Sequence, residues 1–187
     1  MTRFCLIRHG QTEWNSLHLI QGRVDIPLND TGKLQSLKAA EKLKQLNIKW
    51  DYVYSSPLKR AYETAQIVCK ECNINKPIIK LDELVEREFG ELEGGIVGEA
   101  NYKRMLSKDT VGLEQIEDLE DRAVSVILKL STLHKDANIL IFTHSQVIKA
   151  LLLSLIKDFD FTCALDNSSL NFFEVEGKTI SVDKINV

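Results

Sequence analysis

The chain has 187 residues, a formal net charge of -3, and 44% hydrophobic against 27% charged residues, the balance of a globular protein with length for a substantial core. No apolar run approaches the ~18 residues of a membrane span, and Met1-Thr2-Arg3-Phe4-Cys5 lacks the apolar segment of a signal peptide. A cytoplasmic protein with no membrane partner is expected. Its lysines form no dense basic run, which argues against nucleic acid as a partner but not against a small anionic substrate.

In chain order, Phe4-Cys5-Leu6-Ile7 reads as a buried strand that ends in a polar loop carrying Arg8, His9, Gly10 and Asn15. After a second polar loop, Ile20 to Leu28, Asn29-Asp30-Thr31-Gly32 supplies caps for a helix over 32–46. Trp50 to Ser55 reads as a strand. Ser56 and Pro57 then suit the N-cap and first position of a helix whose buried face is Leu58, Ala61, Ala65, Val68 and Cys72. Pro77 to Leu81 is a short strand, and residues 83–112 are irregular with one short helix. Glu114 to Leu133 carries a long apolar stripe of helical period. Asn138 to Phe142 is a buried strand followed by Thr143-His144-Ser145 and an almost wholly apolar helix, Val147 to Ile156. Leu170 to Val175 and Thr179 to Ile185 alternate around Gly177-Lys178 like a hairpin. Alternating strands and helices predict an α/β three-layer sandwich: a mostly parallel central sheet with helices on both faces. With no linker or repeat, one domain over 1–187 is expected.

The four cysteines are Cys5, Cys69, Cys72 and Cys163. Cys69-Lys70-Glu71-Cys72 has no second pair at metal-binding spacing, so buried or idle thiols are expected and no metal site.

Several segments carry groups suited to phosphate chemistry. Ligands of open α/β sheets bind at the carboxyl ends of the strands. Arg8 and His9 stand at one such end and His144 at another, so the imidazoles converge if the two strands are neighbours. Arg60 lies near a helix N-terminus, and its fork can take two phosphate oxygens. Gln21 and the backbone at Gly22 can rim a phosphate. The loop around Glu83, Glu86 and Glu88 offers a proton donor without indicating which carboxylate serves.

Together these segments resemble the histidine phosphatase superfamily, which includes the cofactor-dependent phosphoglycerate mutases. The matches run in order: Arg8-His9-Gly10 with Thr12 and Asn15; Gln21-Gly22 with Asp25 and Pro27-Leu28; Ser55 to Ala61 with Thr64-Ala65; Glu86 with Phe89-Gly90 and Glu93-Gly94; and Thr143-His144 with Val147 to Leu151. Gly112, Glu114 and Arg122 fit a weaker pattern of the family. The resemblance implies that His9 is the nucleophile, that Arg8, Arg60 and a protonated His144 hold the non-bridging oxygens, and that Asn15 and Gln21 assist at the rim. It singles out Glu86 as proton donor. The chain departs from the family pattern at Ser145, where glycine often follows the second histidine, and at Leu92, where tryptophan is usual. Ser145, Asn15, Gln21 and Gly22 are the expected substrate-binding positions.

The resemblance points to the short phosphatase branch, similar to α-ribazole phosphatase. A short cap is expected at about 95–112. The expected activity is metal-independent hydrolysis of a small phosphomonoester through a phosphohistidine, with α-ribazole phosphate as one candidate and no cofactor. The alternatives are a phosphoglycerate mutase and a phosphate-binding regulatory module without turnover.

Overall fold

A computed structural model describes all residues, 1–187. Six strands form one sheet: β1 (Thr2–Arg8), β2 (Tyr52–Ser55), β3 (Ile78–Lys80), β4 (Asn138–Thr143), β5 (Leu170–Glu176) and β6 (Thr179–Lys184), in the order β3-β2-β4-β1-β5-β6. The first four are parallel, and β5 and β6 run antiparallel at one edge. Six helices accompany them: α1 (Glu13–Ser16), α2 (Asp30–Gln45), α3 (Lys59–Glu71), α4 (Glu99–Met105), α5 (Ile116–Leu133) and α6 (Ser145–Leu155). No helix is long and apolar enough to cross a membrane.

The two-residue period of the strands builds two cores. Phe4 and Leu6 of β1, with Ile139 and Ile141 of β4, point to the face covered by α5 and α6. Cys5 and Ile7, with Leu140 and Phe142, point to the opposite face, under α2 and α3. This is the expected three-layer α/β arrangement. The small connection after Gly94 sits on a third cluster of Ile20, Phe89, Leu92, Met105 and Leu113. The hairpin turns at Gly177, whose φ of +63° is backbone that glycine adopts without steric cost.

Four helix starts differ from the sequence reading; α2 begins at Asp30, capped by Asn29, rather than at residue 32. The third helix begins at Lys59, so Pro57 lies outside it and Ser56 is not its cap. The cap comes from across the chain, where Asp25 accepts from the Lys59 N–H at 2.6 Å and Ser56 turns its hydroxyl to His144. The long helix starts at Ile116, because Glu114 is committed to side-chain and backbone bonds elsewhere. The apolar helix starts at Ser145, directly after the second histidine. The thiols of Cys5 and Cys69 are buried, and burial pushes Cys69 up to about 12, which keeps it protonated.

The loop after β1 lies against the first turn of α2 with no space for a side chain. A Cβ at Gly32 would stand 2.1 Å from the Gln11 carbonyl oxygen, and one at Gly10 would stand 2.4 Å from the Gly32 carbonyl oxygen. Backbone cannot yield as a flexible side chain can. Gly32→Ala is therefore expected to destabilise the protein by about 1–3 kcal/mol despite alanine's better helix propensity. Urea midpoints at unchanged slope measure the loss.

Candidate active site

Strand register assembles the site. Arg8 of β1 pairs with Thr143 of β4, so His9 and His144 each stand one residue beyond neighbouring parallel strand ends. Ser55 of β2 pairs with Phe142, which sets Ser56 beside them. The two imidazole rings lie 5.2 Å apart between centroids, tilted by 59°. His9 and His144 are both buried, as are Arg60 and Glu86.

The tautomer of His9 follows from its neighbours. Its Nδ1 lies 2.7 Å from the Gly10 carbonyl oxygen, which only accepts. Nδ1 must therefore carry the proton, and the lone pair is left on Nε2. Burial, then the charges of Arg60 and Arg8, hold the ring well below the usual histidine range, so it is neutral. The backbone of His9 is tied down as well: its N–H donates to Thr143, and its carbonyl accepts from Ser168 N–H and Asn167 Nδ2.

The second histidine differs from the expectation of a protonated ring. Burial, Arg60 and His9 hold His144 well below the usual range in the free protein. Its Nε2 sits 2.8 Å from Ser56 Oγ, and that hydroxyl oxygen also accepts from the Leu58 N–H. With the Ser56 hydroxyl donating to Nε2, the ring proton sits on Nδ1, a buried atom with no protein partner. A neutral His144 can then still donate one hydrogen bond.

Arg60 is wholly buried, and its guanidinium is set by the loop after α1. Nη1 donates to Val24 O at 2.9 Å and Nη2 to Gly22 O at 2.6 Å. Each Nη thus gives one of its two hydrogens to the loop, which anchors the guanidinium, while the second hydrogen of each and the buried, unpartnered Nε–H are left for a ligand. Burial pulls Arg60 down to about 10, which leaves it cationic at neutral pH. The loop is braced in turn by Glu93, which accepts from the N–H groups of Gly22 and Val24. Arg8 donates through Nη1 to Leu165 O, and its Nε–H is likewise buried and unpartnered.

Glu86 is the buried carboxylate nearest this charge. It accepts from the Arg87 N–H at 2.9 Å and faces the Gln146 N–H at 3.5 Å. Burial raises it above the usual carboxylate range, against the opposing pull of these N–H groups, Arg60 and Arg8. Gln21 accepts from Thr12 Oγ1 at 2.8 Å, leaving its own buried Nε2 without a partner. Asn15 closes a capping box with Thr12, and its Oδ1 faces Asn167 Nδ2 at 3.5 Å. Gly22 contributes its carbonyl to Arg60, and Ser145 is the first residue of α6. Glu83 and Glu88 bind outward, to Lys129 and Arg23.

Several contributors went unread in the sequence. Residues 157–169, between α6 and β5, provide Leu165, Asn167 and Ser168, yet nothing marks them beyond a polar turn before a strand. Ser168 holds its N–H on His9 from left-handed backbone, φ +61°, which a non-glycine residue seldom adopts. Thr64, part of a motif match in the sequence but without a role there, lies one turn past Arg60 on α3, receives the Gly10 N–H and donates to Arg60 O, linking the two segments.

Comparison with known proteins identifies the family. The model of the histidine phosphatase superfamily (branch 1) matches residues 4–187, and the chain belongs to that family. It is 38% identical over 152 residues to a Bacillus subtilis protein named uncharacterized phosphatase PhoE, covering 81% of this chain and 76% of that one. It is 32% identical over 166 residues to an Arabidopsis thaliana metal-independent phosphoserine phosphatase, covering 83% and 69%. The crystal structure of an Entamoeba histolytica phosphoserine phosphatase in complex with 3-phosphoglyceric acid superposes with a TM-score of 0.82 at 29% identity, over 100% and 98% of the chains.

Both buried histidines titrate lower in the folded chain than in the unfolded one. The unfolded state therefore binds more protons below about pH 6.5, and stability is lost as pH falls through that value. The melting temperature is expected to drop between pH 7 and 5.5, and His144→Gln is expected to flatten that slope. Calorimetric melts across the range measure both.

Proposed function

We propose that this member of the superfamily hydrolyses phosphate monoesters through a phosphohistidine on His9. The observation that carries this reading is the His9 ring: Nδ1–H held by Gly10 O, Nε2 free and neutral, with Arg8 and Arg60 beside it. In the first step the Nε2 lone pair attacks phosphorus and the bond from phosphorus to the leaving oxygen breaks. Glu86, protonated at the start, gives its proton to that oxygen. In the second step the Glu86 carboxylate takes a proton from water, the water oxygen attacks phosphorus, and the electron pair of the P–N bond returns to Nε2. Arg8, Arg60, Gln21 and His144 Nδ1–H supply donors to the equatorial oxygens, the stabilisation that phosphoryl transfer chiefly needs. Asn15 and Ser145 border the substrate at the rim.

In this mechanism two guanidiniums take the role that a metal ion fills in other phosphoryl-transfer sites, so catalysis is metal-independent and needs no cofactor. A relative named a metal-independent phosphoserine phosphatase supports the reading. The cap over 95–112 carries one helix of seven residues, which is little cover for retaining a phosphoenzyme against water. We therefore infer hydrolysis rather than isomerisation. The substrate is a small phosphorylated metabolite. Phosphoserine and 3-phosphoglycerate, the compounds in the relatives' names, lead the candidates, and α-ribazole phosphate has no such support.

A phosphatase screen over these three compounds and an aryl phosphate tests the proposal. Wild type is expected to release phosphate with chelator present, and His9→Ala to lose at least about a thousandfold in kcat/KM. Formation of 2-phosphoglycerate from 3-phosphoglycerate without phosphate release would establish a mutase instead. Phosphate binding without turnover would establish a regulatory module.

The pH profile of kcat/KM reports the free protein. It needs His9 neutral and Glu86 protonated. The first group is depressed and the second raised, so activity is expected to hold below the usual histidine value and fall off on the alkaline side as Glu86 ionises. Glu86→Gln is expected to remove that Glu86-dependent fall.

A further inference from the structure

Glu86 occupies backbone that neither a helix nor a strand fixes. It follows a single 3-10 turn, Asp82–Leu84, and its own carboxylate has only the adjacent Arg87 N–H at short range. Its position therefore depends on what holds the flanking peptide groups. Arg122, two turns into α5, does most of this. Its Nη1 donates to the carbonyls of Glu83 and Val85, both at 2.8 Å, on either side of Leu84 and directly before Glu86. Its Nε and Nη2 each meet one oxygen of Glu114 at 2.9 Å. Glu114 then grips the segment from the other side. Its Oε2 accepts from the Glu88 N–H, its N–H donates to Glu88 O, and its carbonyl accepts from Arg87 Nε. Both side chains are mostly buried, at 17% and 13% exposure, so water screens the pair weakly.

We propose that Arg122 and Glu114 are positioning residues that clamp residues 83–88 and hold Glu86 where it can protonate the leaving oxygen. The clamp rests on the reading of Glu86 as proton donor. Neither residue touches the phosphate. Their effect passes through backbone geometry, to which proton transfer is sensitive because donor and acceptor must meet within hydrogen-bond reach. An isolated ion pair would have no reason to spend two guanidinium hydrogens on carbonyls of the donor's own loop.

Leaving-group dependence tests the clamp. An alkoxide needs the proton as it departs; p-nitrophenolate hardly does. kcat/KM is measured for the best alkyl monoester of the screen and for p-nitrophenyl phosphate, on wild type, Glu86→Gln, Arg122→Met and Arg122→Lys. Thermal melts verify folding. Glu86→Gln is expected to lose about a hundredfold or more on the alkyl ester and much less on the aryl ester. Arg122→Met is expected to show the same asymmetry at about tenfold to a hundredfold, with Arg122→Lys partly restored. The alkaline limb of Arg122→Met is expected to move down as Glu86 gains access to water. Equal losses on both esters, or none, would leave Arg122 a purely structural residue and overturn the clamp while the donor assignment stands. No asymmetry in Glu86→Gln would remove the donor assignment and the clamp together. Should Arg122→Met fail to fold, Arg122→Lys carries the same comparison.

Discussion

Burial of positive charge is the constraint on which the site depends. Arg60 has no measurable exposure, and the Nε of Arg8 is buried, while Glu86 is the carboxylate packed with them. Removing such charges from water costs several kcal/mol each unless hydrogen bonds and counter-charge offset it. The fold supplies part of this through the Gly22, Val24 and Leu165 carbonyls. The rest falls to a ligand. When burial keeps Glu86 protonated, Arg8 and Arg60 together present two positive charges. A phosphate monoester dianion brings two negative ones.

The same desolvation sets every protonation state that the chemistry needs. It keeps His9 neutral, as the proposed attack on phosphorus requires, and it raises Glu86 toward the acid form. It also keeps His144 neutral, which makes orientation more important than charge at that position. The Ser56 hydroxyl then has a chemical task. With that hydroxyl as donor to Nε2, the ring proton stands on Nδ1. A serine that sequence pattern assigns to a helix cap is better used this way, and the helix borrows Asp25 in its place.

Legibility from sequence follows the range of the interactions. The β1 and β4 strands and their histidines were readable, because a buried strand ending in a polar residue is a local signal. So was the layer order, since strand and helix periods alternate along the chain. The start of α3 was not readable, because its cap is 34 residues away at Asp25. Nor was the anchoring of Arg60, since carbonyl acceptors carry no side-chain signature. A backbone carbonyl is the same oxygen in every residue type. The wall from Leu165 to Ser168 acts through the backbone of Leu165 and Ser168 and through the Asn167 amide, and no pattern of residue types marks it. Glu86 illustrates the boundary. Burial separates it from Glu83 and Glu88, and burial is a property of the folded chain.

In the proposed mechanism Glu86 also serves twice, as acid when the first alcohol leaves and as base toward water. A carboxyl fixed too strongly in either state would do one task and fail the other. The opposing influences on it are therefore informative: burial favours the neutral acid, while Arg60, Arg8 and two backbone N–H groups favour the anion. Phosphoryl transfer to His9 leaves the net charge of the site unchanged: Glu86 becomes anionic as its proton departs with the alcohol, and the phosphorylated ring, still carrying Nδ1–H, becomes cationic. The two arginines then face a phosphohistidine and a carboxylate together at the same total charge as before. In the second step Glu86 takes a proton from water, the water oxygen joins phosphorus, and the electron pair of the P–N bond returns the ring to neutrality. The same electrostatics that bind the ester thus accompany both steps, and Glu86 ends as the acid it was at the start.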